Sequence, residues 1–190
     1  MEQYLSSTDI IDWAHPEVLR QAQALADGEA DVVVVAGKCF EWVRDNIRHS
    51  VDHKMNPVTC SASEALREKT GYCYAKSHLL AALLRANGIP AGLCYQRLSL
   101  NDDGAPFCLH GLVAVYLPEI GWYRIDPRGN KPGVDAQFTP PVERLAFKIV
   151  YPEEANLPEI WPDPLEVVVR TLRSYKTWQA VLEHLPDIER

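Results

Sequence analysis

Of the five cysteines in this chain, at positions 39, 60, 73, 94 and 108, Cys73 stands where a thiol can act as a nucleophile. It follows Gly71-Tyr72 and opens an apolar stretch containing Leu79, Leu80, Leu83 and Leu84, which Gly88 and Pro90 close. That pattern predicts a buried helix from Tyr72 to Asn87 with Cys73 in its first turn. Unpaired N–H groups and the positive end of the helix dipole favour a thiolate there. Such a cysteine needs a base within hydrogen-bond reach, and the base needs a third group to orient its ring.

His110 and Asp126 fit those two roles. His110 shares a strand face with Leu112, Ala114 and Tyr116, and Asp126 shares one with Trp122 and Arg124. In an antiparallel hairpin the numbers of directly opposed residues have a constant sum. Pairing His110 with Asp126 centres the turn on Pro118, inside the break Pro118-Glu119-Ile120-Gly121, subject to a shift of one or two residues or a bulge. Taken singly, a cysteine heading an apolar helix, a strand histidine and an aspartate before Pro127 each have ordinary structural uses. Together, the histidine and the aspartate are better explained as a pair that serves the cysteine.

The elements that must position these groups follow from periodicity. Helices are predicted over 16–27 and 31–49, although the Val32 to Val35 run alone would suit a strand. Ser61-Ala-Ser-Glu64 is a capping box that opens a short helix through Lys69. After Pro90 the period changes to two, giving strands over 93–98, 109–117, 122–126 and 144–151. A proline-rich stretch over 157–164 should run extended, ahead of a last helix from Pro164 to about Leu185. Arg85 falls outside the leucine stripe and is expected to matter little to stability. Helices first and an antiparallel sheet afterwards define an α+β fold.

With 190 residues, 47 % of them hydrophobic and 24 % charged, the chain reads as one globular domain over 1–190, with a core of about 31–151 and an extension over 152–190. The net charge of −7 argues against a nucleic-acid partner. The first residues lack a basic region followed by an apolar one, and no window approaches the ~20 apolar residues of a membrane helix. The expectation is a cytosolic protein without a membrane partner. An odd number of widely spaced cysteines with no C-x-x-C pair predicts reduced thiols, not disulfides or a zinc ribbon. Cys39, Cys60, Cys94 and Cys108 read as inert. His49 and His53 flank Asp52 but lack a third ligand, and no glycine-rich phosphate loop is present, so neither a metal nor another cofactor is expected.

Gly71-Tyr-Cys73-Tyr-Ala75, the leucine-rich run to Gly88-Ile-Pro-Ala91, Leu109-His110-Gly-Leu-Val-Ala-Val-Tyr-Leu117 and Gly121-Trp-Tyr-Arg-Ile-Asp126-Pro127 together resemble the transglutaminase-like superfamily over roughly residues 40–130. Ser61 to Leu66 resembles the family's approach to the cysteine helix. The resemblance implies a papain-like core with Cys73 as nucleophile, His110 as general base and acid, and Asp126 as the orienting carboxylate. The family often has tryptophan where this chain has Leu112, and commonly a hydroxyl residue after the Asp-Pro pair, where Arg128 stands here.

The chemistry so implied is hydrolysis or acyl transfer on a peptide or small amide or acyl substrate through an acyl-enzyme. The oxyanion would meet the Cys73 N–H and a second donor, for which His49, Tyr72 and Trp42 are candidates. Two other readings compete. One is a papain-like binding or scaffold module without turnover, and the other an arylamine-type acetyltransferase fed by a thioester.

Overall fold

The computed structural model describes residues 1–101 and 103–188. Helix α1 (Pro16–Ala26) starts with a proline, whose missing N–H costs nothing in a first turn. Helix α2 (Val32–Asn46) follows Asp31, whose carboxylate accepts from Val33 N at 2.8 Å and Val34 N at 3.4 Å. That cap selects helix for the valine run. The helix stops short of His49. Arg48–His49 is instead strand β1, which pairs in parallel with β2 (Thr70–Gly71) and sets His49 beside Gly71. Between these strands the capping box opens α3 (Ala62–Glu68), with Glu64 Oε2 accepting from Ser61 N at 3.1 Å and Cys60 N at 2.8 Å. Lys69, left-handed at φ 55°, ends it and turns the chain toward Cys73.

Helix α4 (Cys73–Ala86) lies at the centre of the core, and every residue from Cys73 to Arg85 is buried. The expected leucine stripe is therefore only part of a surface covered all round, by α1, α2 and α3 on one side and the sheet on the other. Its buried polar side chains are all spoken for locally except two atoms. Lys76 donates to the carbonyls of Ile47 and Arg44, and His78 Nδ1 lies 2.7 Å from Cys60 O, while Ser77 Oγ and His78 Nε2 have no partner. Arg85, expected to be dispensable, is buried and donates to the carbonyls of Ala91, Ser6 and Pro162.

The sheet contains β3 (Ala91–Ser99), β4 (Phe107–Leu117), β5 (Gly121–Ile125) and β6 (Ala155–Asn156) in the antiparallel order β5-β4-β3-β6. Leu109, Val113, Val115 and Leu117 join α4 in the main core, whereas Leu112 and Ala114 join Cys94 in a second cluster beneath Trp122, Leu145 and Ile160. The β4–β5 ladder runs from Val113–Ile125 to Leu117–Gly121 and is centred on residue 119, one beyond the expected Pro118. The reason is conformational. The turn uses left-handed backbone at Glu119 (φ 63°) and Gly121 (φ 85°), which a proline ring forbids.

Two expected elements differ. Residues 144–151 form no strand beyond a single bridge from Arg144 to Gln137, because the site takes up the N–H of Ala146. The last helix is broken into α5 (Glu166–Ser174) and α6 (Trp178–Leu182), with extended backbone at Tyr175 and a new cap at Thr177, whose hydroxyl accepts from Ala180 N at 3.3 Å. The extended stretch before α5 lies along β3, where Leu93 and Trp161 exchange hydrogen bonds of 2.7 and 2.9 Å. Beyond α6 the chain returns to the sheet, with Pro186 O accepting from Leu109 N at 2.7 Å and Asp187 pairing with Arg97 at 2.6 Å. Among the described residues no helix is long and apolar enough to cross a membrane.

Candidate active site

Cys73 is the first residue of α4, and its N–H has no acceptor within the helix. The thiol is 6 % exposed, and its Sγ accepts from Gly111 N at 3.5 Å. Strand β4 comes this close because residue 111 lacks a side chain. A Cβ there would lie 2.9 Å from Tyr74 Cδ1 and 3.3 Å from Tyr74 Cα. Tyr74 completes the seam by donating its hydroxyl hydrogen to Leu109 O.

The neighbouring residue on β4, His110, lines the same cavity as Cys73, whose charge favours a protonated imidazole. Its Nε2 lies 2.8 Å from Asp126 Oδ2, which leaves Nδ1 for the thiol. Phe147 meets the imidazole edge-on at 4.9 Å. Asp126 is fully buried, and besides His110 it accepts from Ala146 N at 3.1 Å and Arg128 N at 3.1 Å. Burial resists charge on both partners. On His110 the Asp126 carboxylate and the cysteine outweigh it and hold the imidazole well above its usual range. On Asp126 the imidazolium and the backbone donors prevail and hold the carboxyl down. The pair is thus ionised.

The three residues predicted to act together are adjacent. Cys73 and His110 line a cavity of about 670 Å³. Leu109, Leu182 and Leu185 contribute apolar lining, while Arg128, Lys131 and Lys148 contribute positive charge. Of the three candidate second donors, His49 lines the cavity; Tyr72 also does, but its hydroxyl is bound to Trp178 O. Trp42 is not among the lining residues and carries the Lys69 ammonium 4.9 Å above its ring. The other four cysteines are buried or half-buried. Burial pushes the thiols of Cys39, Cys94 and Cys108 up to about 12 and that of Cys60 to about 11. Among the described residues no group of three or more His, Cys, Asp or Glu side chains is arranged to hold a metal, and His53 is exposed.

Sequence reasoning missed Ala146 and Phe147, which serve the Asp126–His110 pair from a segment whose alternation resembled a strand. It also missed Asp52, which receives Arg128 at 2.6 and 3.1 Å and Lys131 at 2.7 Å. No local pattern announces that contact, since Asp52 and Arg128 are 76 residues apart.

An α+β fold with a cysteine at the head of a buried helix and a histidine and aspartate on the following hairpin defines the papain-like, transglutaminase-like class. The family model described as the transglutaminase-like superfamily matches residues 20–127, and the chain belongs to that superfamily. Its fold is similar to that of a "Putative Cysteine Protease from Cytophaga hutchinsonii", at 20 % identity and a TM-score of 0.51, over 66 % of this chain and 40 % of that one. The periplasmic domain of TgpA from Pseudomonas aeruginosa matches at 19 % identity and a TM-score of 0.47, over 65 % of this chain and 46 % of that one. This chain thus spans less than half of the length of either structure. No curated protein is similar enough to match it.

Proposed function

We propose that this protein is a cysteine-dependent enzyme that hydrolyses, or transfers the acyl group of, a peptide or small amide substrate. The observation that carries this reading is that Cys73 and His110 line one cavity, with the buried Asp126 bonded to the far side of the His110 ring. His110, charged beside Asp126, holds the Cys73 thiolate as an ion pair, and Sγ attacks the carbonyl carbon. The carbonyl electron pair moves to oxygen. Collapse of the adduct then breaks the bond to the leaving group, which receives the proton from His110. Asp126 keeps the ring oriented and stabilises its charge without itself taking the proton. Water completes hydrolysis of the resulting thioester, and an amine completes transfer. A cavity of about 670 Å³ has room for a short peptide segment or a metabolite of comparable size.

The test is mass-spectrometric trapping on the intact protein after exposure to a mixed pool of peptides and metabolites. An acyl adduct on Cys73, absent from Cys73→Ser, supports the reading, and its mass names the substrate class. Acetylation by a thioester donor alone selects the acetyltransferase reading. No adduct with any member of the pool favours a binding module.

A further inference from the structure

We propose that His49 is the second oxyanion donor of this site, donating its Nε2–H, together with the N–H of Cys73, to the oxygen of the tetrahedral intermediate. The inference rests on the cysteine-nucleophile reading above and assigns a group that the reading leaves open.

The backbone brings His49 there. It pairs with Gly71 across the two-stranded sheet, two residues before Cys73, and the pairing is secured by a 3.0 Å bond from Ser50 N to Gly71 O. The imidazole packs edge-on against Tyr72 at 5.7 Å, is only 8 % exposed, and lines the cavity shared by Cys73 and His110. Its Nδ1 is buried with no hydrogen-bond partner. The nearest carboxylate oxygen, Asp52 Oδ2, is 3.8 Å away and accepts instead from Arg128, while Asp52 Oδ1 accepts from Arg128 and Lys131. A buried N–H with no acceptor is costly, so the ring proton is placed on Nε2, which is not among the buried unpartnered atoms, on a ring that lines the cavity.

The surroundings also keep the ring neutral. Burial comes first, then the positive charges of Arg128, Lys76 and His110, against which Asp52 acts alone. The site therefore holds two imidazoles in opposite conditions. His110 is charged by a buried carboxylate and moves protons, whereas His49 is uncharged and offers a fixed N–H. Arg128 serves both, giving its backbone N–H to Asp126 and its guanidinium to Asp52. As Sγ attacks and the carbonyl π pair moves onto oxygen, that oxygen gains two donors. The same contacts are released when the C=O bond re-forms and the leaving group departs.

The experiment compares the full chain with His49→Phe, which keeps an aromatic ring against Tyr72 but has no donor, and His49→Gln, which restores an N–H. Three probes are used: p-nitrophenyl acetate, the peptide aldehyde acetyl-leucyl-leucyl-norleucinal, and iodoacetamide. The first two form a tetrahedral oxygen at Cys73, and alkylation does not. In His49→Phe the release of p-nitrophenolate should slow by ~10²–10³ and aldehyde binding should weaken by a similar factor. Alkylation of Cys73 should be unchanged, and His49→Gln should recover most of the loss. Wild-type behaviour of His49→Phe toward ester and aldehyde overturns the proposal alone. An equal loss of alkylation also overturns it, since His49 would then act on the thiol. A wild-type protein that reacts with neither ester nor aldehyde overturns the underlying function, and the assignment with it. Imidazole ¹⁵N spectra of the wild-type protein do not depend on the folding of either variant. A neutral Nε2–H tautomer at neutral pH is expected for His49, and an Nδ1–H tautomer or an imidazolium overturns the proposal.

Discussion

Asp126 holds the ring of His110 through a 2.8 Å contact from Oδ2 to Nε2, although the two residues are not opposed in the β4–β5 ladder. The last ladder pair is Val113–Ile125, so the aspartate reaches diagonally back past Leu112 from just beyond the strand end. Released from pairing, its carboxylate also collects the N–H groups of Arg128 and Ala146. Oδ2 takes two donors and Oδ1 a third, so an amide placed either way sets its NH₂ against an N–H.

Asp126→Asn should therefore lower turnover of p-nitrophenyl acetate by ~10²–10⁴ while the circular dichroism spectrum is retained. A variant with the wild-type rate would return Asp126 to a structural role.

Brief alkylation near pH 6 followed by peptide mapping should label Cys73 well before the other thiols. Burial holds Cys39, Cys94 and Cys108 near 12 and Cys60 near 11, so their thiolate fractions at that pH are negligible. Equal labelling of all five would remove Cys73 from its special place.

Gly111→Ala should separate β4 from the start of α4, because the new methyl would meet both the ring and the backbone of Tyr74. The bond from residue 111 N to Cys73 Sγ would lengthen, and with it the approach of His110. Activity should fall far more than melting temperature, since a displacement of ~1 Å at reacting groups can cost ~10²-fold in rate. Full activity would show that the seam can relax.

Leu83→Ala and Arg85→Ala should both be destabilising, for different reasons. The leucine is fully buried, and its truncation leaves a cavity worth ~2–5 kcal/mol. Loss of the guanidinium leaves the carbonyls of Ala91, Ser6 and Pro162 without this donor, at ~1–3 kcal/mol for each one left unsatisfied. Urea titration measures both, and a wild-type midpoint for Arg85→Ala would mean that water replaces the side chain.

Two buried cations give stability opposite dependences on pH. His110 is held up to about 10 from 6.5 by Asp126 and Cys73 against its burial, so its contribution is complete below about pH 6.5 and is lost as pH rises toward 10. Lys76 is driven down to about 7 from 10.5 by burial, so its penalty is full below pH 7 and is relieved as pH rises toward 10.5. The stability deficit of Asp126→Asn should accordingly be larger at pH 6 than at pH 10. Any stability of Lys76→Met relative to wild type should likewise be most favourable at pH 6. Denaturant titrations at the two pH values check both signs, and a pH-independent difference would remove the linkage.

What the sequence determined by itself is what depends on neighbours in the chain. The Ser61–Glu64 box spans one turn, α4 is bounded by Cys73 and the Gly88-Ile89-Pro90 stop, and the period-two runs containing His110 and Asp126 flank a short turn. Those patterns sufficed for the α+β fold and for the proximity of the histidine and aspartate, because a register displaced by two keeps each side chain on its face. The tertiary structure alone decided that His49 leaves the helix for a strand beside Gly71, that Arg85 is buried, and that Ala146 and Phe147 close on the Asp126–His110 pair. Periodicity reports which positions prefer an apolar surrounding. It is silent on which distant carbonyl or carboxylate will satisfy a buried donor, and at Ser50 beside His49, at Arg85 and at Ala146 that supply, brought from elsewhere in the chain, sets the conformation.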